Sequence, residues 1–348
     1  RFQNGFVNDG TIEMNSAGGA TDLEFVGTQT LSGSGSIIMS DNFQNRIRND
    51  TGADTLTIGA NQTISGAGQI GGNTGGMENF GTIDANQTNN AILIDGGALK
   101  FVNHGTLRAS GAAGFDISAA NDEFEQAGGL IDVQSGSRLD VTLGTNFIQT
   151  GGQVTINGIM TTAASNSSVQ LQGGRFGGSG TVDFNGNGSH ALNNTGGTLA
   201  VGNSPGILTI MDGDYFQGSA ASFEFELFGA VVGVGHDLLN ILNGDADLSG
   251  SLDVVADQGF ASTLNVGDQF EVVRLESGHS FLSGFFDTLT TNLTGLAFNQ
   301  LFIGDSLWIE VTQADVPAPG VSEPETMLVF LGSLGVLVGL RRRRRAIH

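Results

Sequence analysis

The sequence predicts an all-β chain wound as a right-handed parallel β-helix, closed by a C-terminal β cap or sandwich and followed by one short hydrophobic helix. Three observations carry this prediction. Glycine supplies 56 of the 348 residues, short apolar or β-branched strokes alternate with Gly, Asn, Ser, Asp and Thr, and whole phrases return at a spacing in the low twenties.

Residues 1–200 read as the repeats of the β-helix. Almost no ten-residue stretch there carries helical spacing, and proline, which would remove hydrogen bonds from stacked strands, does not occur before Pro205. NFGTI at 79–83 returns as NHGTL at 103–107, 24 residues on, and NDGTI at 8–12 is a further copy. FEQAGGLIDV at 124–133 returns as FIQTGGQVTI at 147–156, 23 residues on. QTLSGSGSI at 29–37 returns as QTISGAGQI at 62–70, an offset of 33 that is no multiple of the others.

Three apolar strokes in each such period suit one coil of a parallel β-helix. One coil cannot cover its own inward Ile, Leu, Val and Phe, whereas stacking gives each strand two neighbours and closes the core. Glycine and asparagine suit the corners, where positive φ is expected. At about 4.8 Å per coil, these 200 residues make about 8 or 9 coils in a rod about 40 Å long. A β-sandwich, or a flattened solenoid with irregular insertions, is the alternative.

Past residue 200 the phrasing changes, and residues 201–312 read as a β-rich capping region. In ASFEFELFG at 221–229, Phe223, Phe225 and Leu227 fall on one face and Glu224 and Glu226 on the other, the mark of a half-buried strand. Further strands are expected at 238–242, 248–255, 269–275 and 306–312, the last with Leu307, Ile309 and Val311 inward. A cap has a physical motive, because an open solenoid end exposes unpaired edges. GNSPGILTI at 202–210, HDLLNILNGDADLSGSLDV at 236–254 and VGDQFEVV at 266–273 resemble the phrasing that precedes the tail in β-helical PEP-CTERM proteins and in autotransporter passenger regions. The resemblance covers residues 196–312 and implies a stacked-β exported protein.

Residues 313–322 form a proline-containing linker to a three-part tail at 323–348. The tail begins EPET. It continues with an apolar run of 14 residues holding Met327, Leu328, Val329, Phe330, Leu331, Leu334, Val336, Leu337, Val338 and Leu340, and then with Arg341, Arg342, Arg343, Arg344 and Arg345. The run is shorter than the roughly 20 residues that span a bilayer comfortably, but the arginines behind it give the layout of a stop-transfer segment, with the basic end cytoplasmic and the rest of the chain outside.

This layout resembles the PEP-CTERM sorting signal. The resemblance implies recognition and processing by an exosortase-type enzyme in a Gram-negative bacterium that secretes exopolysaccharide. Glu323 and Pro324 match two letters of the family's Pro-Glu-Pro motif, and Ser322 stands in place of its first proline. A single-pass anchor that is never cut is the other reading of the tail. The chain opens at Arg1 without a charged-then-apolar leader, so its start reads as processed or truncated.

Charge narrows the partners. The chain has 13 basic and 35 acidic residues, a net charge of −22. Residues 1–322 alone hold 8 basic and 33 acidic side chains, a net of −25. Such a surface repels phosphate backbones, which argues against nucleic acid and favours cations or neutral glycans. With no cysteine there is no disulfide, thiolate metal site or thiol nucleophile.

No catalytic cluster emerges. His104, His190, His236, His279 and His348 lie in unrelated contexts, and Asp122 with Glu123 reads as a solvated turn. His236 and Asp237 sit in a phrase with a structural look. Calcium is the one metal worth weighing. Asp245, Asp247 and Ser249 alternate before Gly250 as in an EF-hand loop, but Ala256 stands where a bidentate carboxylate is required, and a strand explains Leu248, Leu252 and Val254 equally well. GGSGTVDF at 177–184 has the glycines of a calcium-binding nonapeptide, once and with Asp183 one place late. The leading expectation is a non-enzymatic structural or adhesive rod at the cell surface or in the extracellular matrix, associated with exopolysaccharide or biofilm. The rival is a polysaccharide-acting β-helix lyase or glycosidase.

Overall fold

The computed structural model describes residues 1–317 apart from residues 4, 98, 119–122, 143–145, 163–167 and 187–190. The sorting motif, the apolar run and the arginine cluster lie outside the described residues.

The chain visits three sheets in strict rotation from Phe6–Val7 to Gln269–Leu275, so that each circuit of three strands is one coil of a parallel β-solenoid. The first sheet, which begins with Phe6–Val7, has 11 strands; the second, from Thr11–Met14, has 12; the third, from Thr21–Phe25, has 13. At about 4.8 Å per parallel neighbour, 11 strands make a rod about 50 Å long. One four-residue helix, Gln258–Ala261, is the only helix among the described residues.

Alternation decides which side chains enter the core, and the coil period decides what each one touches. In the first sheet Leu56, Met77, Phe101, Phe124, Phe147, Val169, Leu192 and Tyr215 stand directly above one another in register, all fully buried. Phe101, Phe124 and Phe147 stack their rings at centroid distances of 5.6 and 5.2 Å. Full burial of each such side chain contributes about 1.5–3 kcal/mol, and the contribution repeats along the whole rod.

The phrase NxGT has a physical basis in a ladder of buried amides. Asn79, Asn103, Gln126 and Gln149 share one register position at the corner after the first sheet. Asn79 Nδ2 donates to Asn103 Oδ1 at 2.8 Å, and Asn103 Nδ2 to Gln126 Oε1 at 2.7 Å. Asn79 also closes its own corner, accepting from the Gly81 amide at 3.1 Å, so one side chain supplies both the turn and the link to the next coil. Glycine follows because corners stack closely: a Cβ on Gly105 would come 2.2 Å from the Gly81 carbonyl oxygen. Gly105 is absent from the positive-φ residues, so close approach, rather than the expected left-handed backbone, is what excludes a side chain there.

The repeated phrases fall into register as the coil reading requires. Asn79 pairs with Asn103, Ile83 with Leu107, Phe124 with Phe147 and Ile131 with Val154. The offset of 33 also resolves. Leu31 belongs to Gln29–Ser32 of the first sheet and Ile64 to Thr63–Ser65 of the second, so the phrase returns one coil and one side further on. Strand, tight corner, strand is a unit that serves at either corner.

The boundary expected at residue 200 is not a change of architecture. Parallel pairing continues through Ile207–Met211 with Leu238–Leu242, Ser222–Leu227 with Ser251–Ala256, and Ser251–Ala256 with Thr288–Thr291. The phrasing changes because the connections lengthen, and the step from Ile210 to Ile241 is 31 residues. Phe223, Phe225 and Leu227 face inward as expected. Only after Gln269–Leu275 does the pattern change: Ser306–Ala314 joins it antiparallel, with Leu307, Ile309 and Val311 fully buried, and Leu296–Ile303 joins antiparallel on the far side of Ser306–Ala314.

Candidate functional site

Outward positions of the third sheet form a polar row along the rod. Gln69, Leu93, Asp116, Asp140 and Thr161 occupy one register position on successive coils. The corner loops before this sheet rise beside the row and make it the floor of a groove of about 480 Å³, lined by Phe43, Gln69, Asn90, Leu93, Asp116 and Arg138 among others. The volume lies within the range of small-molecule sites.

The groove wall is held by an unusual concentration of hydrogen bonds. Asp41 accepts from the Asn89 side chain at 2.6 Å, from the Asn90 side chain at 2.9 Å, and from the Asn89 and Asn90 backbone amides at 3.3 and 2.9 Å. These bonds hold the Asp41 carboxyl below the usual carboxylate range, the Asn90 side chain first among them. They tie residues 89–90 to a residue two coils away, so the wall is preorganised. Phe43 stands beside the floor, 53% exposed; its carbonyl accepts from Gln69 Nε2 at 3.2 Å.

At one end of the groove Arg138 spans two stacked carboxylates, with Nη2 3.7 Å from Asp116 Oδ1 and Nε 3.2 Å from Asp140 Oδ2. Burial raises the Asp116 pKa, the Asp140 charge raises it further, and Arg138 opposes both. A carboxyl perturbed by burial and specific charges inside a cleft marks a functional-site candidate. The chemistry assembled is an apolar ring face and an aliphatic side chain next to a carboxyl and a guanidinium. That combination suits a ligand with an apolar face and a rim of hydroxyls.

A second polar cluster is structural. Asp237, fully buried, accepts from the Gly206 amide through Oδ1 and from the Glu226 amide through Oδ2, both at 2.8 Å. It thereby ties GNSPG to Ser222–Leu227, and Gly202 is required beside it because a Cβ there would sit 2.4 Å from Asp237 Oδ1. Burial pushes the Asp237 carboxyl up to about 7. His236, also buried, contacts the Phe225 and Phe270 rings at 5.8 and 5.4 Å and meets the Gly229 carbonyl at 3.1 Å. Burial lowers its pKa, so it favours the neutral form.

The calcium candidates do not converge. Ala246–Asp247 is a strand of the first sheet. Asp245 accepts from the Ser280 amide at 2.8 Å, Asp247 from the Ser283 hydroxyl, and Ser249 donates to Asp287 at 2.8 Å. Each thus pins a different point of the 279–287 loop. No cluster of three or more His, Asp or Glu able to hold a metal occurs among the described residues. Glu123 opens the strand Glu123–Gln126 and pairs with Lys100 at 3.2 Å, where a turn was expected; Asp122 lies outside the described residues, as do His190 and His348. His104 stacks on Phe80 at 4.7 Å, and His279 Nδ1 is 3.4 Å from Asp245.

Sequence reasoning missed the groove, because its residues come from separate corners and strands. One signal was available: Asp116 and Asp140 stand 24 residues apart, one coil period, so a repeated outward carboxyl was legible once the period was known. No protein-family model matches the chain, and no curated protein matches it.

Proposed function

We propose that this chain is an exported, non-enzymatic structural or adhesive rod of the cell surface or extracellular matrix, which holds neutral polysaccharide in the groove of its third sheet. The observation that carries this reading is that groove, with exposed Phe43 and half-buried Leu93 set against Asp116 and Arg138 under a clamped wall. A pyranose ring has an apolar face and a hydroxyl rim, the shape such a lining recognises. The net charge of −22 disfavours anionic polymers. The antiparallel strands Leu296–Ile303 and Ser306–Ala314 extend the third sheet at the end of the rod, where a cap was expected. The tail supplies the address. Glu323 and Pro324 are the recognition letters for an exosortase-type enzyme, Met327 to Leu340 the inner-membrane anchor during sorting, and Arg341 to Arg345 the cytoplasmic stop.

Native electrophoresis of the full chain in non-ionic detergent, through gels holding dextran, mannan or alginate, tests the binding. Retardation by a neutral glycan and its loss in Phe43→Ala are expected; unchanged mobility in all three gels refutes the reading. Intact mass of the surface-extracted protein tests the tail, since retention of Met327 to His348 defeats processing.

One observation favours an enzymatic reading. Asp116 and Asp140 sit on adjacent coils, about 4.8 Å apart along the rod, near the roughly 5 Å separation of the carboxyl pair in retaining glycosidases. Release of reducing ends beyond one per protein molecule, abolished in Asp116→Asn, would establish it.

A further inference from the structure

The strand edges of this rod are protected in most places and open in one. At the start of the third sheet, Thr21–Phe25 carries outward Asp22 and Glu24, and Phe2 bonds to its edge through the Glu24 carbonyl and the Val26 amide, both at 2.9 Å. At the end of the first sheet, the 279–287 loop covers Ala246–Asp247: the Ala246 amide donates to Ser280 and the Leu282 amide to Ala246. The last strand of the second sheet, Thr288–Thr291, has only four residues. Charges, cover and brevity are ordinary ways to blunt an edge.

Leu296–Ile303 is neither charged nor short; a bulge at Ala297/Phe298 and the bonds of the Gln300 side chain to the Phe286 amide and carbonyl, both at 3.0 Å, leave its outer backbone groups unpaired. It is eight residues long, it is the outermost strand of the third sheet, and among the described residues no backbone hydrogen bond reaches Ala297 to Ile303 from any segment except Ser306–Ala314. The hairpin turns through Gly304 and Asp305, with Ile303 opposite Ser306. In a two-residue hairpin that last pair is hydrogen-bonded and the pattern alternates from it, so Phe302, Gln300 and Phe298 direct their backbone groups outward. Beside this edge lies an exposed apolar cluster. Phe302 stacks on Phe285 at 4.6 Å and contacts Phe281 at 4.7 Å, and Phe285, Phe302, Ile303 and Leu282 are 41%, 40%, 43% and 63% exposed.

Charge selects the occupant. Residues 281–286 and 296–303 contain no ionisable side chain, on a chain of net charge −22. Two copies repel one another over most of their surface but can meet here neutral to neutral. A strand paired antiparallel with its own copy about a two-fold axis matches itself automatically, as an isologous contact requires. We infer that two copies of this chain join edge to edge through Leu296–Ile303, so that the third sheets of two rods run into one continuous sheet.

Two measurements on the full chain in non-ionic detergent test this. Light scattering with the detergent mass subtracted should give a dimer whose dissociation constant rises at least tenfold in Asn299→Glu, an exposed position, and in Phe302→Glu. Amide hydrogen exchange should show Phe298, Gln300 and Phe302 protected at high protein concentration and exposed on dilution or in either variant. A monomer at every concentration overturns the inference. So does a dimer whose mass both variants leave unchanged, or one in which these three amides exchange freely.

Discussion

Replacing Asp237 by asparagine should destabilise the rod in acid, where one backbone amide loses its acceptor, and stabilise it at alkaline pH. The carboxyl is fully buried, and burial pushes it up to about 7, with Glu226 and Glu224 adding to the effect and the Gly206 and Glu226 amides resisting it. The unfolded chain releases this proton near the ordinary value of 3.8. Between the two values the folded state binds the extra proton, so stability falls as pH rises, at about 1.4 kcal/mol per pH unit. The contribution is fully present below 3.8 and lost above about 7, on the order of 4 kcal/mol in all. Asparagine does not titrate, but its NH2 faces one of the two backbone amides and cannot accept from it, a fixed cost of about 1–3 kcal/mol at every pH. Precipitation near the isoelectric point of about 4.2 sets the lower limit of the experiment, so the usable window is pH 5 to 8, across which the Asp237→Asn advantage should grow by about 3 kcal/mol. Urea unfolding followed by the fluorescence of Trp308, the chain's one tryptophan, reads it; Trp308 pairs with Glu271 in Gln269–Leu275, the strand next to Leu238–Leu242. If the variant is instead less stable than the parent at pH 8, the two amide hydrogen bonds outweigh burial and the reasoning fails.

Three further outcomes follow from the packing. Phe124→Ala removes the middle ring of a stack of three and should cost about 3–5 kcal/mol. Because each coil touches only its neighbours, hydrogen exchange should rise first between residues 101 and 149, and a uniform rise along the rod would contradict the one-dimensional picture. Asn103→Ala strips Gln126 Oε1 of its 2.7 Å donor and should cost about 1–3 kcal/mol, measured by the same unfolding assay. Gly178→Ala places a Cβ 2.2 Å from the Ile156 carbonyl oxygen at φ 118°, whereas Gly136→Ala, at φ 82°, meets nothing within 4 Å. Gly136→Ala should therefore cost only the backbone strain of about 1–2 kcal/mol and Gly178→Ala clearly more, so equal thermal shifts would refute the close-approach account of the corners.

What could be read in the one-dimensional text depended on how the three-dimensional contacts repeat. Asn79 and Asn103, or Phe124 and Phe147, are neighbours in space because they are one coil apart, so the force that selects one selects the other. The same logic fails where a connection lengthens. From Ile210 to Ile241 the inward residues still stack, but the 31-residue step hides the period, and residues 201–312 read as a different kind of region. The groove was less legible still. Phe43, Gln69, Asn90, Leu93, Asp116 and Arg138 are brought together by corners and coils, and no local pattern marks them as a set.

The phrases GNSPG and HDLLNIL lie between these extremes. They could be recognised as a pair by resemblance alone, whereas their coupling is a single buried carboxyl. Asp237 reaches from the head of Leu238–Leu242 to the amide of Gly206, 31 residues earlier, and to Glu226 on the neighbouring sheet. A connection that departs from the coil period has no stacked neighbour to specify it. The buried acid performs that task here, holding a long corner in one conformation so that the next coil starts in register. That accounts for a fully buried carboxyl in the interior of the rod, and it makes residues 202–206 the corner where loss of one side chain should disturb register most.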